Sequence, residues 1–255
     1  MKPLIDTHAH MADPVFDRDR AEVLARARAA GVAAVVAVAE NLEEARRVLE
    51  LAATHQGIAA AAGLYPAHLD PEQAEELIRF IRHHGRDLVG IGEVGLDYWL
   101  AKEEPQREIQ RAILSRFVDL SQELDLPLNV HSRSAGRYAV ELLLARGAVK
   151  VQLHAFDGRA SSAMPAVEAG YLFSIPPSVL RSQQKRKLVR GLPLSSLLVE
   201  TDSPVLGPAR GERNEPANAV LSVKAIAELK GLEPEEVREA VYENSLRLYG
   251  PRLFA

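Results

Sequence analysis

The sequence predicts an α/β protein, specifically a closed (β/α)8 barrel of the TIM type. The chain has 255 residues, the usual length of that fold. Eight short apolar segments alternate with eight segments of helical periodicity, as expected for repeated strand–helix units. An open doubly wound sheet is the alternative, but it would normally carry a Gly-rich phosphate loop after its first strand, where this chain has THAHMAD. We therefore expect residues 1–255 to form one barrel domain.

The predicted strands are apolar at nearly every position, which is typical of parallel strands buried on both faces. In chain order they lie at 3–8, 33–39, 58–64, 88–93, 127–131, 149–154, 170–175 and 197–201. The predicted helices fill the gaps, near 17–30, 41–55, 71–84, 104–125, 135–146, 160–169, 178–190 and 217–230. A further helix at 234–248 would pack outside the barrel as an additional C-terminal element.

Residues at the helix ends support these boundaries. Asp70 before Pro71 is a cap followed by proline at the first helical position, and Glu215-Pro216 could open the eighth helix in the same way. Glycines stand where three helices should stop before the next strand, at Gly31, Gly147 and Gly170.

Composition limits the classes of partner. The net charge of −4 and pI of about 6.1 give no global positive field that would draw in nucleic acid, so any phosphate recognition must be local. Cysteine is absent, which excludes disulfides and thiolate metal sites. No apolar stretch reaches membrane-spanning length and no signal peptide is recognisable, so we expect a cytoplasmic protein without a membrane partner.

Four of the eight histidines stand on or after predicted strands, where a barrel gathers its functional groups. His8 and His10 are two residues apart, which puts both imidazoles on one face of the first strand. His131 and His154 end the fifth and sixth strands. Any one of these histidines could be a core or loop residue, but their shared placement predicts convergence on a metal.

Two carboxylates have the same placement. Glu93 lies between apolar strand residues and glycines, which suits a ligand that bridges two cations, although a salt bridge toward a helix would also explain it. Asp202 follows LLVET and could bind a metal and act as general base, or serve the turn that Asp-Ser-Pro favours. Asp6 and Asp97 are predicted to orient the histidines.

Four imidazoles and two carboxylates are too many ligands for one tetrahedral zinc and suit two adjacent divalent ions. The His-rich ligand set favours zinc, manganese, cobalt or nickel over magnesium. For an anion-binding rim the sequence offers Arg133, two residues after His131, and Arg213 with Arg210 in the loop after Asp202. The basic segment RSQQKRK at 181–187 is interpreted instead as a solvated helix face.

Six segments, in order, resemble motifs of the TatD family of metal-dependent hydrolases: DTHAH, GEVGLDY, VHSR, HAFDG, ETDSP and GERNEP. The resemblance covers almost the whole chain. It implies a (β/α)8 barrel and two-metal hydrolysis of phosphodiester bonds in DNA, often as a 3′ exonuclease. It also implies two ligand sets that share one carboxylate: His8, His10, Glu93 and Asp202 for one metal, and Glu93, His131 and His154 for the other.

One motif departs from the family pattern. Where many members carry G-x-H-P-H after the third strand, this chain reads GLYPAH. Tyr65 and Ala67 replace the two histidines, and His68 comes one residue late. Tyr65 and His68 are therefore the candidates for contacting substrate at this position, and the departure puts the substrate in question more than the metal site.

The sequence thus predicts a metal-dependent deoxyribonuclease that acts on single-stranded DNA or 3′ ends, with Asp202 and Glu93 as catalytic residues. Since a barrel does not fix its substrate, hydrolysis of a small ester, lactone or amide, or of an aminoacyl-tRNA ester, is the alternative. A non-catalytic metal-binding or partner-binding protein would be expected to have lost Asp202 or Glu93. The sequence predicts no oligomeric state.

Overall fold

A computed structural model describes residues 2–254 and confirms the (β/α)8 barrel. Eight parallel strands pair in chain order. They are β1 (Leu4–Ala9), β2 (Val32–Val38), β3 (Ile58–Ala62), β4 (Gly90–Gly95), β5 (Leu128–His131), β6 (Val151–His154), β7 (Leu172–Ile175) and β8 (Leu197–Val199). Their carboxyl ends therefore face the same end of the barrel.

Helices connect successive strands and surround the sheet. They are α1 (Arg20–Ala29), α2 (Leu42–Thr54), α3 (Pro71–His84), α4 (Glu104–Leu124), α5 (Gly136–Ala145), α6 (Ala160–Glu168), α7 (Gln183–Gly191) and α8 (Ala219–Lys230), followed by the predicted additional helix α9 (Pro234–Tyr249). In the part of the chain that the structure describes, none of these helices combines the length and the apolar character needed to cross a bilayer.

Helix ends follow the predicted chemistry at most positions. The Asp70 carboxylate accepts a hydrogen bond from the backbone N–H of Glu72, and Gly31, Gly147 and Gly170 all have positive φ. Two expected helix starts are wrong, because a 3-10 turn comes first in each case. Pro177–Leu180 precedes α7, and Pro216–Asn218 precedes α8.

The first and last strands are joined by the residues that follow β8. The backbone N–H of Asp202 donates to the His8 carbonyl at 2.9 Å, and the N–H of His10 donates to the Ser203 carbonyl at 2.7 Å. Thr7 Oγ1 also donates to the Val199 carbonyl at 3.0 Å. These bonds nearly close the barrel, and they hold His8, His10 and Asp202 together at one end.

The core has two parts, which follow the two-residue period of the strands. Val35 and Ala37 of β2 belong to a large cluster with the helices, whereas Ala34, Val36 and Val38 belong to a smaller cluster on the opposite face, inside the barrel. The interior cluster includes Tyr249 at the end of α9. Mostly apolar side chains, both small and large, therefore fill this inner part of the barrel.

Candidate metal centre

All six predicted metal-site residues converge at the carboxyl end of the barrel. Glu93 lies at the centre of the group. Its Oε1 is 2.7 Å from His131 Nδ1 and 2.8 Å from His154 Nε2. Its Oε2 is 3.5 Å from His10 Nε2 and 3.8 Å from His8 Nε2. One carboxylate therefore faces two pairs of imidazoles, one pair with each oxygen.

Asp202 completes the half of the site formed by β1. Its Oδ1 lies 3.3 Å from His10 Nε2 and 3.5 Å from His8 Nε2. The residue has a φ of 55°, and its carbonyl accepts from the N–H of Val205, so the backbone does form the turn that the sequence suggested. The turn uses only backbone atoms, and the side chain is left for the site. The two interpretations of Asp202 are therefore compatible.

Close packing of β4 against β5 brings Glu93 beside His131. A Cβ at Gly92 would lie 2.6 Å from the Cβ of Asn129, and one at Gly95 would lie 2.1 Å from the carbonyl oxygen of His131. Only glycine permits these approaches. Because β4 runs to Gly95, two residues further than predicted, Glu93 lies within the strand rather than at its end.

Each of the four imidazoles turns its second nitrogen toward a side-chain oxygen behind it. The pairs are His8 Nδ1 with Asn129 Oδ1 at 2.9 Å, His10 Nδ1 with Glu40 Oε1 at 3.7 Å, His131 Nε2 with Asp97 Oδ2 at 3.1 Å, and His154 Nδ1 with Glu200 Oε2 at 3.8 Å. The contacts of His8 and His131 are hydrogen bonds, and such outer partners fix the ring orientation and the tautomer of metal-binding histidines. Those of His10 and His154 are longer than a hydrogen bond, and His154 Nδ1 has no hydrogen-bond partner among the described residues.

The hydrogen bonds of Asn129 decide the tautomer of His8. The Asn129 amide nitrogen donates to the Thr7 carbonyl and to the Tyr249 hydroxyl, so its oxygen must accept from His8 Nδ1–H. The lone pair of His8 Nε2 then faces inward, only 3.4 Å from Nε2 of His10. The two Nε2 atoms lie close together beside the carboxylates of Glu93 and Asp202, an arrangement that suits binding of a cation between them.

The second group has the same character. His131 Nε2 lies 3.1 Å from Asp97 Oδ2, as a donor to that carboxylate, which leaves the lone pair of Nδ1 facing His154 Nε2 at 3.2 Å. Both nitrogens surround Oε1 of Glu93. The donor atoms of Glu93, His131 and His154 form one possible metal site, and those of His8, His10 and Glu93 form another. The residues present thus fit a metal centre, in which Glu93 belongs to both of these donor groups.

Electrostatics in the protein without metal reflect the same arrangement. Burial opposes ionisation of Glu93, but His154 and His131 outweigh it and hold the pKa of Glu93 well below its usual range. Burial likewise opposes ionisation of Asp202, whose pKa His10 and His8 lower. In turn, Asp202 and Glu93 overcome the effect of burial on His10 and raise its pKa to about 9. Protons therefore compete with cations for these nitrogens.

Three acidic residues around the site have different roles. Asp97 faces His131, as the sequence predicted. Asp6 does not orient a ring: its carboxylate accepts from the backbone N–H and the hydroxyl of Thr201, and burial raises its pKa to about 8. Glu200 accepts from the Ala155 N–H and from the Ser174 hydroxyl, behind His154. Asp6 and Glu200 are thus part of the support of the site.

A cleft of about 490 Å³ is lined by five of the six residues, and the sixth, His8, is fully buried. Tyr65 lines it, donates to Asp97 Oδ2 at 3.2 Å and packs edge-on against His131, so the residue that replaces the family histidine lies in the site. Arg133 is exposed at the rim. Sequence reasoning missed Glu40, although it also follows a strand, and interpreted the segment containing Lys185 as a solvated face. Lys185 instead lines the cleft half-buried, and its Nζ donates to the Ala155 carbonyl.

Two predicted substrate-binding residues do not line the cleft. The guanidinium of Arg213 donates to both carboxylate oxygens of Asp19 and to the carbonyl of Val15. These bonds connect the loop after β8 to the segment before α1, away from the cleft lining. His68 takes part in a turn through its backbone N–H, which donates to the Tyr65 carbonyl. Short motifs reveal neither arrangement, because Arg213 pairs with Asp19, which is far away in the sequence, and the motif letters do not specify the turn that contains His68.

The sequence model for the family described as TatD related DNase matches residues 5–250. The chain belongs to the TatD family. "Deoxyribonuclease TATDN3" of Homo sapiens is 46% identical to it, with 98% of this chain and 95% of that protein covered. "Uncharacterized metal-dependent hydrolase TatD" of Mycobacterium tuberculosis is 37% identical, with 97% of this chain and 98% of that protein covered.

Solved structures agree with this assignment. The TatD homologue YjjV of Escherichia coli superposes with a TM-score of 0.89 at 31% identity, covering 96% of this chain and 97% of that one. A TatD family hydrolase from Entamoeba histolytica has a TM-score of 0.88 at 21% identity, covering 98% and 99%, and supports the fold alone.

Proposed function

We propose that this TatD family protein is a divalent-metal-dependent phosphodiesterase that removes nucleotides from the 3′ ends of single-stranded DNA. The observation that carries the proposal is the pair of donor groups sharing Glu93, with imidazole lone pairs fixed inward by oxygens behind them. Its membership of the TatD family and the deoxyribonuclease name of the human relative support phosphodiesters as the substrate class.

His8, His10, Glu93 and Asp202 would hold one cation, and Glu93, His131 and His154 the other. Bound there, two divalent ions would supply Lewis-acid stabilisation of charge on the phosphoryl oxygens and lower the pKa of a water molecule. The preponderance of imidazole favours zinc or manganese over magnesium.

The protein side chains supply the remaining chemistry. Asp202 is ionised at neutral pH and faces the cleft, so it can accept the proton of the attacking water. Arg133 and Lys185 line the cleft as cations and can pair with non-bridging phosphoryl oxygens. Tyr65 is a positioning residue, because its hydroxyl donates to the carboxylate that orients His131.

The proposal is tested with metal-stripped protein reloaded with Mg, Mn or Zn and offered single-stranded DNA labelled at either end, RNA and a panel of lactones. We expect stepwise shortening from the 3′ end of DNA, with Mn or Zn more effective than Mg. Glu93→Gln is the control, and it should lose metal and nearly all activity while keeping its fold. Turnover of a lactone with no cleavage of DNA by any reloaded form would contradict the proposal.

Glu40 favours a second candidate, an aminoacyl ester. Its carboxyl group lines the cleft beside His10, and burial raises its pKa to about 7. Its ionised form would repel a phosphate and could accept hydrogen bonds from the ammonium group of an aminoacyl ester. Glu40→Gln separates the two candidates. The KM for an aminoacyl ester should rise in this variant, whereas the KM for DNA should stay constant or fall.

A further inference from the structure

Trp99 is the only tryptophan of the chain, it is 55% exposed, and it follows Asp97, the outer partner of His131, by two residues. Its position is fixed through Asp97. One carboxylate oxygen of Asp97 accepts from the backbone N–H of Trp99 at 2.8 Å and of Leu100 at 2.9 Å, while the other faces His131 at 3.1 Å. The carboxylate that orients a site histidine therefore also holds the segment that presents this indole to solvent.

Two cations flank the indole ring. The Nζ of Lys102 lies 4.6 Å from the ring centroid, and the guanidinium carbon of Arg133 lies 5.1 Å from it. Arg133 also lines the cleft, so the same guanidinium lies near the indole and borders the space over the site residues. An aromatic ring with a basic residue on its cleft side has the composition of a stacking platform for single-stranded nucleic acid.

We propose that Trp99 stacks against a nucleobase of the strand whose phosphodiester occupies the metal centre, while Arg133 and Lys102 pair with the neighbouring phosphates. This inference rests on the proposed function, because it takes DNA as the substrate. Stacking on an indole outweighs an exposed cation–π contact, so an arriving base can displace a cation from the ring, and that cation is then free to bind phosphate. The subsite accepts any base, since every base has a π-face.

The single tryptophan makes binding directly visible, because a stacked base quenches indole fluorescence. The metal-loaded protein is mixed in a stopped-flow instrument with a twelve-residue oligothymidylate, so that the signal is read before hydrolysis. A strand of the same length with abasic tetrahydrofuran sugars carries the same phosphates and is the matched ligand. We expect saturable quenching by the oligothymidylate and little quenching by the abasic strand.

Variants are compared by the anisotropy of a labelled strand. Trp99→Ala should weaken binding of the oligothymidylate by about tenfold, leaving the abasic strand unchanged, and Trp99→Phe should restore most of the affinity. Lys102→Gln is the control, and it should weaken both strands equally. Equal loss on both strands in Trp99→Ala, or equal quenching by both, would overturn the stacking role.

The two proposals fail in different ways. If Trp99→Ala degrades DNA with the KM and kcat of the parent, the subsite is wrong and the nuclease proposal stands. If the oligothymidylate quenches Trp99 but no phosphodiester is cleaved with any metal, the subsite stands and the nuclease proposal is wrong. Absence of binding by either strand overturns the subsite.

Discussion

Asp202 and Glu200 lie two residues apart, yet their surroundings differ in whether a water molecule can transfer a proton to the carboxylate. Asp202 lines the cleft and lies near His8 and His10 through Oδ1. Glu200 is fully buried, and its two oxygens are occupied by the Ala155 N–H and the Ser174 hydroxyl. Only Asp202 is placed to receive a proton from a water in the cleft.

We therefore expect Asp202→Asn to lower kcat by about 10²-fold or more, the usual weight of a general base, with only a modest loss of metal. Glu200→Gln should instead weaken metal binding by about tenfold, because His154 loses its charged outer partner. Both are measured as turnover at equal metal loading and as metal content by mass spectrometry. If Asp202→Asn keeps the turnover of the parent, Asp202 is not the general base and serves only as a metal ligand or turn residue.

Arg133 and Arg213 separate phosphate recognition from loop anchoring. Arg133→Ala should weaken DNA binding by about 1–3 kcal/mol, because a charged hydrogen-bonding partner is lost at the cleft. Arg213→Ala should leave DNA affinity near the parental value and change the free energy of unfolding by about 1 kcal/mol or less, since its exposed pair with Asp19 is weak. Equal loss of DNA affinity in both variants would show that Arg213, like Arg133, binds the phosphates of the substrate.

Much of the site was accessible from sequence, because strand ends are local features and the barrel brings them together. His8, Glu93 and Asp202 were identified in this way. The same signal marks Glu40, which follows the second strand but is not among the predicted site residues. The burial of Lys185 could not be inferred from a segment as basic as RSQQKRK, and the pairing of Arg213 joins residues that are 194 positions apart.

At the scale of elements, the order and type of the strands and helices were predictable, whereas several ends were not. The fourth strand continues to Gly95 because its glycines pack directly on β5, a contact that hydrophobicity does not report. The sequence placed α9 outside the barrel without assigning it a role. In the structure, its last residue, Tyr249, donates to Gln152 Oε1 and accepts from Asn129, the residue that fixes His8.

Tyr249→Phe tests this link between α9 and the metal centre. Loss of the hydroxyl leaves Gln152 Oε1 and one Asn129 N–H without a buried partner, so the free energy of unfolding should fall by about 1–3 kcal/mol. Metal affinity should fall as well, because Asn129 is held less firmly. Urea unfolding and metal titration measure the two effects.

Tyr242→Phe, on the same helix, is the matched control for this prediction. No hydrogen bond of the Tyr242 hydroxyl is found among residues 2–254, so both quantities should stay close to those of the parent. A Tyr249→Phe protein with parental stability and metal affinity would show that α9 only covers the barrel.

On the scale of the whole molecule, the net negative charge disfavours extended contact with DNA. The chain carries 35 acidic and 31 basic residues, so the field at long range is weakly repulsive to a polyanion. The cations assigned here to substrate are local: Arg133 and Lys185 line the cleft, and Lys102 lies over Trp99. DNA binding should therefore depend on few phosphate contacts, as expected for the proposed action at the end of a strand.

The salt dependence of binding measures that number. For single strands, the slope of log K against log salt concentration is about −0.7 per phosphate neutralised, so three cations give a slope of about −2. Lys102→Gln should reduce the slope to about −1.4, because one of the three contacts is removed. The slope is measured by anisotropy titrations of a labelled single strand at salt concentrations from about 50 to about 200 mM, where DNA affinity changes strongly with salt. A slope steeper than about −5 would instead require a basic track across the surface, which would contradict an end-binding site.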